Sequence, residues 1–344
     1  MLKSIKKEIR MRQAYLNNAI ITSIYFGGGT PSILNKEEIK GIVDTIYHHF
    51  KIDPKAEITL ECNPDDLHAE MLTDLKEIGI NRLSIGIQSF DDADLKFMNR
   101  SHNAKQALNC IQLAKEVGFK NITIDLIYGL PNQSNEKWEQ NLKQMLALDV
   151  QHFSAYALTV EPKTALKHLI DKKKITPLEE KITVEHFNTL VRIATENNFI
   201  HYEISNFGKE GFFSNHNTAY WKNQNYLGVG PSAHSFNGTS RQWNIANNRK
   251  YIEKVNKNEA YFEVEKLSNA QQYNEYIFTA LRTIWGVELD YITTQFGEES
   301  QQYFEKQVQN WLAQNKIKQL GSNYTLTGTG KLYADAIASD LFIV

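Results

Sequence analysis

The stretch Ile20-Ile21-Thr22-Ser23-Ile24-Tyr25-Phe26-Gly27-Gly28-Gly29-Thr30-Pro31-Ser32 decides the fold. Its first seven residues are dominated by β-branched and aromatic types, the composition of a strand. Three glycines and Thr-Pro-Ser then stop it. Asn35 with Glu38 three positions on is a capping-box signal for the start of a helix. Ile39, Ile42, Val43 and Ile46 follow on one face of that helix. Upstream, Leu2, Ile5, Ile9 and Leu16 recur at near-helical spacing, so the chain opens inside another helix.

Outward from this unit the same cycle repeats. Strands are expected over Glu57–Glu61, Arg82–Ile87, Asn121–Ile127 and His152–Ala157, with helical stretches between them. The last is followed by a long helical stretch to about Asn198, and His201–Ser205 reads as one more strand. Alternating strand and helix predicts parallel pairing with right-handed crossovers. Five or six such units are too few for a closed eight-fold barrel, which leaves an open partial barrel or a doubly wound sheet. In either, ligands bind at the carboxyl ends of the strands.

This organisation gives an α/β body over 1–206. The stretch 207–268 is an irregular connector rich in Asn, Gly, His and aromatic residues, too aromatic for disorder. From 269 to 344, two helices and a short hairpin around Gly321-Ser322-Asn323 resemble a small winged-helix module.

Composition narrows the class. The 344 residues are 42% hydrophobic and 23% charged, as in an ordinary globular protein. With 38 Lys and Arg against 40 Asp and Glu, the net charge of −2 argues against a basic nucleic-acid surface, and the C-terminal module has no arginine–lysine cluster. No apolar run approaches the ~18 residues of a membrane span. The charged start Met1-Leu2-Lys3-Ser4-Ile5-Lys6-Lys7-Glu8 is not a secretory signal, so a cytoplasmic location is expected, with at most transient membrane association. Two cysteines, Cys62 and Cys110, exclude a disulfide framework and any cysteine-only zinc or iron–sulfur site within one chain.

Polar groups gather where the strands stop: the glycine triplet after the first, Glu61 on the second, Gln88 after the third, Asp125 near the end of the fourth. The triplet lacks the Gly-Lys-Ser/Thr ending of a phosphate loop and the G-x-G-x-x-G spacing of a dinucleotide fold. Glycine does let backbone groups approach a ligand closely.

Taken in order, Tyr25-Phe26-Gly27-Gly28-Gly29-Thr30-Pro31-Ser32, Glu61-Cys62-Asn63-Pro64-Asp65-Asp66, Ser84-Ile85-Gly86-Ile87-Gln88-Ser89-Phe90 and Asp125-Leu126-Ile127-Tyr128-Gly129-Leu130-Pro131 resemble the radical S-adenosylmethionine (SAM) family of oxygen-independent coproporphyrinogen III oxidases, in its haem-chaperone branch. The resemblance runs essentially from residue 1 to the C-terminus. It implies a partial (β/α)6-type radical SAM barrel with a small helical winged-helix-like C-terminal domain. It also implies a SAM framework of Gly28, Gly29, Thr30, Glu61, Gln88, Arg100 and Asp125, in which carboxylates take the amino group or ribose hydroxyls and Arg100 takes the carboxylate.

The family's [4Fe–4S] cluster rests on a C-x3-C-x2-C motif after the first barrel strand. Both the strand and the motif are missing from this sequence, and Cys62 and Cys110 do not replace the ligands. Loss of that strand would leave Ile20–Phe26 as an apolar edge open to association, with the oligomeric state undefined. Enzymatic activity is therefore an open question, and this chain is not expected to cleave SAM.

Further along, Asn215-His216-Asn217-Thr218-Ala219-Tyr220-Trp221 is similar to the branch's haem-binding His-Asn-x-x-Tyr motif. It implies His216 as axial ligand of the haem iron, with Asn217 and Tyr220 completing the motif; His234 is a second candidate. The implied function is to bind haem and pass it to an acceptor protein. Two other readings stand beside it: an oxygen-independent coproporphyrinogen III oxidase, and a non-functional truncated fragment whose Met1 is not the true start.

Overall fold

The protein is described here from a computed structural model covering residues 1–344. Seven strands make one curled, open half-barrel sheet: β1 (Ile20–Phe26), β2 (Lys51–Cys62), β3 (Arg82–Gln88), β4 (Asn121–Tyr128), β5 (His152–Ala157), β6 (Ile200–His201) and β7 (Asn206–Gly208). Their order is β1-β2-β3-β4-β5-β7-β6. The pairs β2–β3, β3–β4 and β4–β5 are parallel, as alternation with helices requires.

The expectation of parallel pairing fails at the end of the sheet. The single strand expected over His201–Ser205 is two short strands, and β7 pairs antiparallel with both β5 and β6. Only residues 202–205 join β6 to β7, far too few for a crossover but enough for a hairpin.

Helices α1 (Leu2–Met11), α2 (Lys36–His49), α3 (Ala69–Ile78), α4 (Asp92–Phe97), α5 (Ala104–Val117), α6 (Asn135–Ala147), α7 (Ala165–Asp171) and α8 (Glu180–Glu196) fall between these strands or precede them. The Asn35–Glu38 capping box forms in both directions, at 3.0 and 3.1 Å. The long helix expected up to Asn198 is instead α7 and α8, separated by residues 172–179. Pro177 lies in that break, where a missing N–H and a restricted preceding residue oppose a continuous helix.

By compactness the chain divides into two units. One comprises Ser23–Ile39 and Glu57–Ser214. Its core is apolar side chains of the central strands, among them Leu60, Leu83, Ile85, Ile122, Ile124 and Phe153, all fully buried.

The other unit comprises Met1–Thr22, Lys40–Ala56 and Asn215–Val344. It contains α9 (Asn215–Trp221), β8 (His234–Phe236), β9 (Ser240–Asn244), α10 (Asn248–Lys257) and β10 (Phe262–Lys266). The aromatic-rich stretch is thus ordered around a small antiparallel sheet, β10-β9-β8. Helix α1 is fastened to it by Glu8, which is wholly buried. Glu8 accepts hydrogen bonds from the Tyr251 hydroxyl (2.5 Å), the Asn244 amide (2.7 Å) and the Gly230 backbone N–H (2.9 Å). The C-terminal part adds α11 (Asn269–Ala280), β11 (Val287–Glu288), α12 (Leu289–Phe296), α13 (Glu298–Gln307), α14 (Gln309–Ala313), β12 (Ile317–Leu320), β13 (Asn323–Leu326) and α15 (Ala334–Asp340), with a β11-β13-β12 antiparallel sheet. No helix is long and apolar enough to cross a membrane.

Candidate functional site

The first candidate site is built at the carboxyl ends of β1 to β4. After β1 the chain turns through Gly28 and Gly29, at φ 74° and 144°, values that side chains with a Cβ rarely adopt. Nothing stands within 4 Å of where a Cβ would sit on either residue, so this backbone is open to a ligand. Gly27 is different. A Cβ there would lie 2.7 Å from the Tyr25 ring and 2.8 Å from Glu61 Oε1. Its bare backbone lets Tyr25 and Glu61 meet, the Tyr25 hydroxyl donating to Glu61 Oε1 at 2.7 Å. Thr30 ends the turn. Buried Ser32 then ties it to the loop after β2, donating to Asp66 at 2.5 Å and accepting from the Asn63 N–H at 3.2 Å.

Gln88 closes β3 at a register shift and holds φ at 69°. Such a conformation in a residue with a side chain marks local strain. Its amide nitrogen lies over Gly86, 3.0 Å from the site a Cβ would take; Arg100 Nη2 is 3.4 Å from the same point. Arg100 Nη2 donates to Asn63 Oδ1 at 3.0 Å and to the Gly86 carbonyl at 3.2 Å, while its Nε is buried without a partner. Asp125, on β4, faces Ser154 across the pair with β5. Burial pushes the Asp125 carboxyl up to about 6, against the pull of the Ser154 hydroxyl; Glu61 adds to the rise, and Arg82 and Arg100 oppose it.

These strand ends bring an open glycine backbone, two carboxylates and an arginine to one edge of one sheet. A SAM molecule presents an amine, a carboxylate and a ribose, and this donor set fits them. The donor set does not fit a [4Fe–4S] cluster. Cys62 at the end of β2 and Cys110 on α5 are both buried, their thiols donating to the Leu60 and Ala107 carbonyls. Burial raises both thiols, Cys110 to about 12, which opposes the thiolate a metal needs.

A chain of polar side chains that starts at Ser154, the partner of Asp125, escaped the sequence reading. Ser154 donates to Asn206 Oδ1 at 2.7 Å, and the Asn206 amide donates to Glu203. All three side chains are buried, on β5, on β7 and in the β6–β7 turn. The available signal was the polar Glu203, Ser205 and Asn206 set among apolar and aromatic residues.

The second candidate site lies in the other unit. His216 and Tyr220 are four residues apart on α9 and so share a face. Their rings are 4.9 Å apart and nearly perpendicular. Tyr220, 41% exposed, packs edge-on against Tyr226 at 4.5 Å, and Tyr226 lies 6.3 Å from Phe236. Asn217 is half-buried on the same helix. His234 is exposed on β8, with its ring 6.4 Å from that of Trp243.

Comparison with known proteins shows the family of the chain. Residues 3–145 match the model of the radical SAM superfamily, and residues 267–333 match that of the HemN C-terminal domain. The "Heme chaperone HemW" of Bacillus subtilis is 33% identical over 338 residues, covering 98% of this chain and 89% of that protein. This chain belongs to the HemN-like radical SAM haem-chaperone family. Within the family, the Lactococcus lactis "Heme chaperone HemW" is 32% identical, over 86% of this chain and 78% of its own length. Among solved structures, Escherichia coli coproporphyrinogen III oxidase (HemN), described as a radical SAM enzyme, superposes with a TM-score of 0.84. That match covers 99% of this chain and 82% of that one at 21% identity, which establishes the shared fold.

Proposed function

We propose that this chain is a haem chaperone: it binds haem through His216 and passes it to an acceptor protein. The observation that carries this reading is the α9 pair, an imidazole held edge-to-face by the exposed ring of Tyr220, with the rings of Tyr226 and Phe236 in series behind it. A histidine nitrogen is a natural ligand of haem iron, and aromatic faces cover the macrocycle. Tyr220 limits the orientations open to the imidazole, and Asn217 adds a polar group on the same short helix. A ligand on a surface helix also suits a cargo that must be released. The names of the relatives support the same reading.

We further propose that Gly28, Gly29, Thr30, Glu61, Gln88, Arg100 and Asp125 can hold SAM as a binding framework. SAM contributes radical chemistry in this superfamily together with its cluster, and the thiols of this chain do not fit that cluster. No oxidase step is therefore assigned.

Titration of the purified chain with ferric haem tests the principal reading. The parent is expected to give a saturating Soret band, and His216→Ala to lose it or shift it strongly. An unchanged spectrum and affinity in the variant would remove His216 as the ligand.

A further inference from the structure

Haem carries more than iron and an apolar ring. One edge bears a pair of propionate carboxylates, and a site that holds haem must place them. The small β10-β9-β8 sheet shows where. Tyr226 forms a β-bridge with Phe236, Phe236 lies opposite Arg241, and Arg241 lies opposite Glu265. Residues directly opposed across strands project from the same face. Side chains two positions along a strand share that face, so His234 and Trp243 stand on it as well. Gln242 and Asn244 project from the other face, where they meet Arg12, just after α1, and Glu8 of α1.

One face therefore continues the aromatic path from the proposed iron ligand. It runs from His216 through Tyr220 and Tyr226 to Phe236, and the next residue across is a cation. Arg241 does not use all its donors. Nη2 pairs with Glu275 Oε2 at 3.0 Å, Nε has no partner, and the side chain is 41% exposed. Glu275 is a poor permanent partner. Burial pushes its carboxyl above the ordinary range, Arg241 pulls it down, and nearby Glu265 pushes it further up. Nε is buried, so a carboxylate arriving from solvent would meet the outer edge of the guanidinium, whose two terminal nitrogens suit two parallel hydrogen bonds once Glu275 gives way.

Resting on the haem reading above, we infer that Arg241 receives a haem propionate, so that the cargo is held at two points, iron at His216 and carboxylate at Arg241. Glu275 occupies the guanidinium while the site is empty and returns to it when the cargo leaves. No bond is made or broken in this exchange, only ion pairs.

The test compares ferric haem with its dimethyl ester, which keeps the iron and ring but has no free carboxylate. The full chain should bind haem about tenfold more tightly than the ester. Arg241→Gln should weaken haem by about the same factor and leave the ester unchanged, which a merely structural role would not do. Arg241→Lys should keep part of the preference, and Glu275→Gln should tighten haem binding a few-fold. Equal affinity of the parent for haem and ester overturns the inference, even if Arg241→Gln does not fold. So does an Arg241→Gln variant that binds haem like the parent, or that weakens haem and ester equally. In those cases haem binding that still depends on His216 leaves the chaperone reading standing. A parent that binds no haem removes both.

Discussion

Asp125 shows how one residue at a sheet end can set a pH dependence. Its carboxyl rises from 3.8 to about 6, chiefly through burial. The folded protein holds that proton more tightly than the unfolded chain does. The stabilisation this gives is complete below pH 3.8 and is lost as the pH rises through about 6. Asp125→Asn cannot ionise, so its Tm should fall less than the parent's between pH 4 and pH 7; parallel profiles would show that Asp125 does not titrate in this window. Single residues were also where reading the sequence worked best and worst. Glu61, Gln88 and Asp125 could be placed from the sequence because each stands at or near the end of a strand of recognisable composition. Asn206 and Ser154 could not be, because they act through the carboxylates beside them, and spacing in sequence says nothing about a partner 52 residues away.

Elements were legible in proportion to their length. The central strands and amphipathic helices carry enough positions to show a period of 2 or 3.6. Strands β6 to β9 have two to five residues, and their pattern is set by cross-strand partners rather than by alternation along the chain. Hence the stretch that forms β8 and β9 read as irregular. What holds that region to α1 is the side chain of Glu8. Truncating it would leave the Tyr251 hydroxyl and the Gly230 N–H buried without their acceptor, each costing about 1–3 kcal/mol. We expect Glu8→Ala to lose roughly 3 kcal/mol or more, read as the midpoint shift in chemical denaturation, and Glu8→Gln to lose less. A cost within 0.5 kcal/mol for Glu8→Ala would mean that water or a neighbour takes over its place. Burial raises the Glu8 carboxyl despite its three donors. Its stabilisation by proton linkage is therefore largest at acid pH and declines as the pH rises through the folded value.

For the molecule as a whole, the family's fold is carried by 344 residues whose two cysteines are both buried. Anaerobic reconstitution with iron and sulfide should give this 344-residue chain far less than one [4Fe–4S] cluster, and SAM should yield no 5′-deoxyadenosine. Near-stoichiometric cluster with deoxyadenosine formation would overturn both the donor-set argument and the assignment of a binding-only framework. The two compact units are themselves discontinuous in sequence, which no reading of composition along the chain would reveal. That discontinuity has a consequence in time. Glu8 leaves the ribosome 243 positions ahead of Tyr251. At ~5–20 residues per second, α1 waits about 10–50 s for the hydroxyl that its buried acid requires. The other unit ends at Ser214, so all of its segments have been made before Tyr251 is. That unit has every segment it needs while the buried acid of α1 still lacks its phenol.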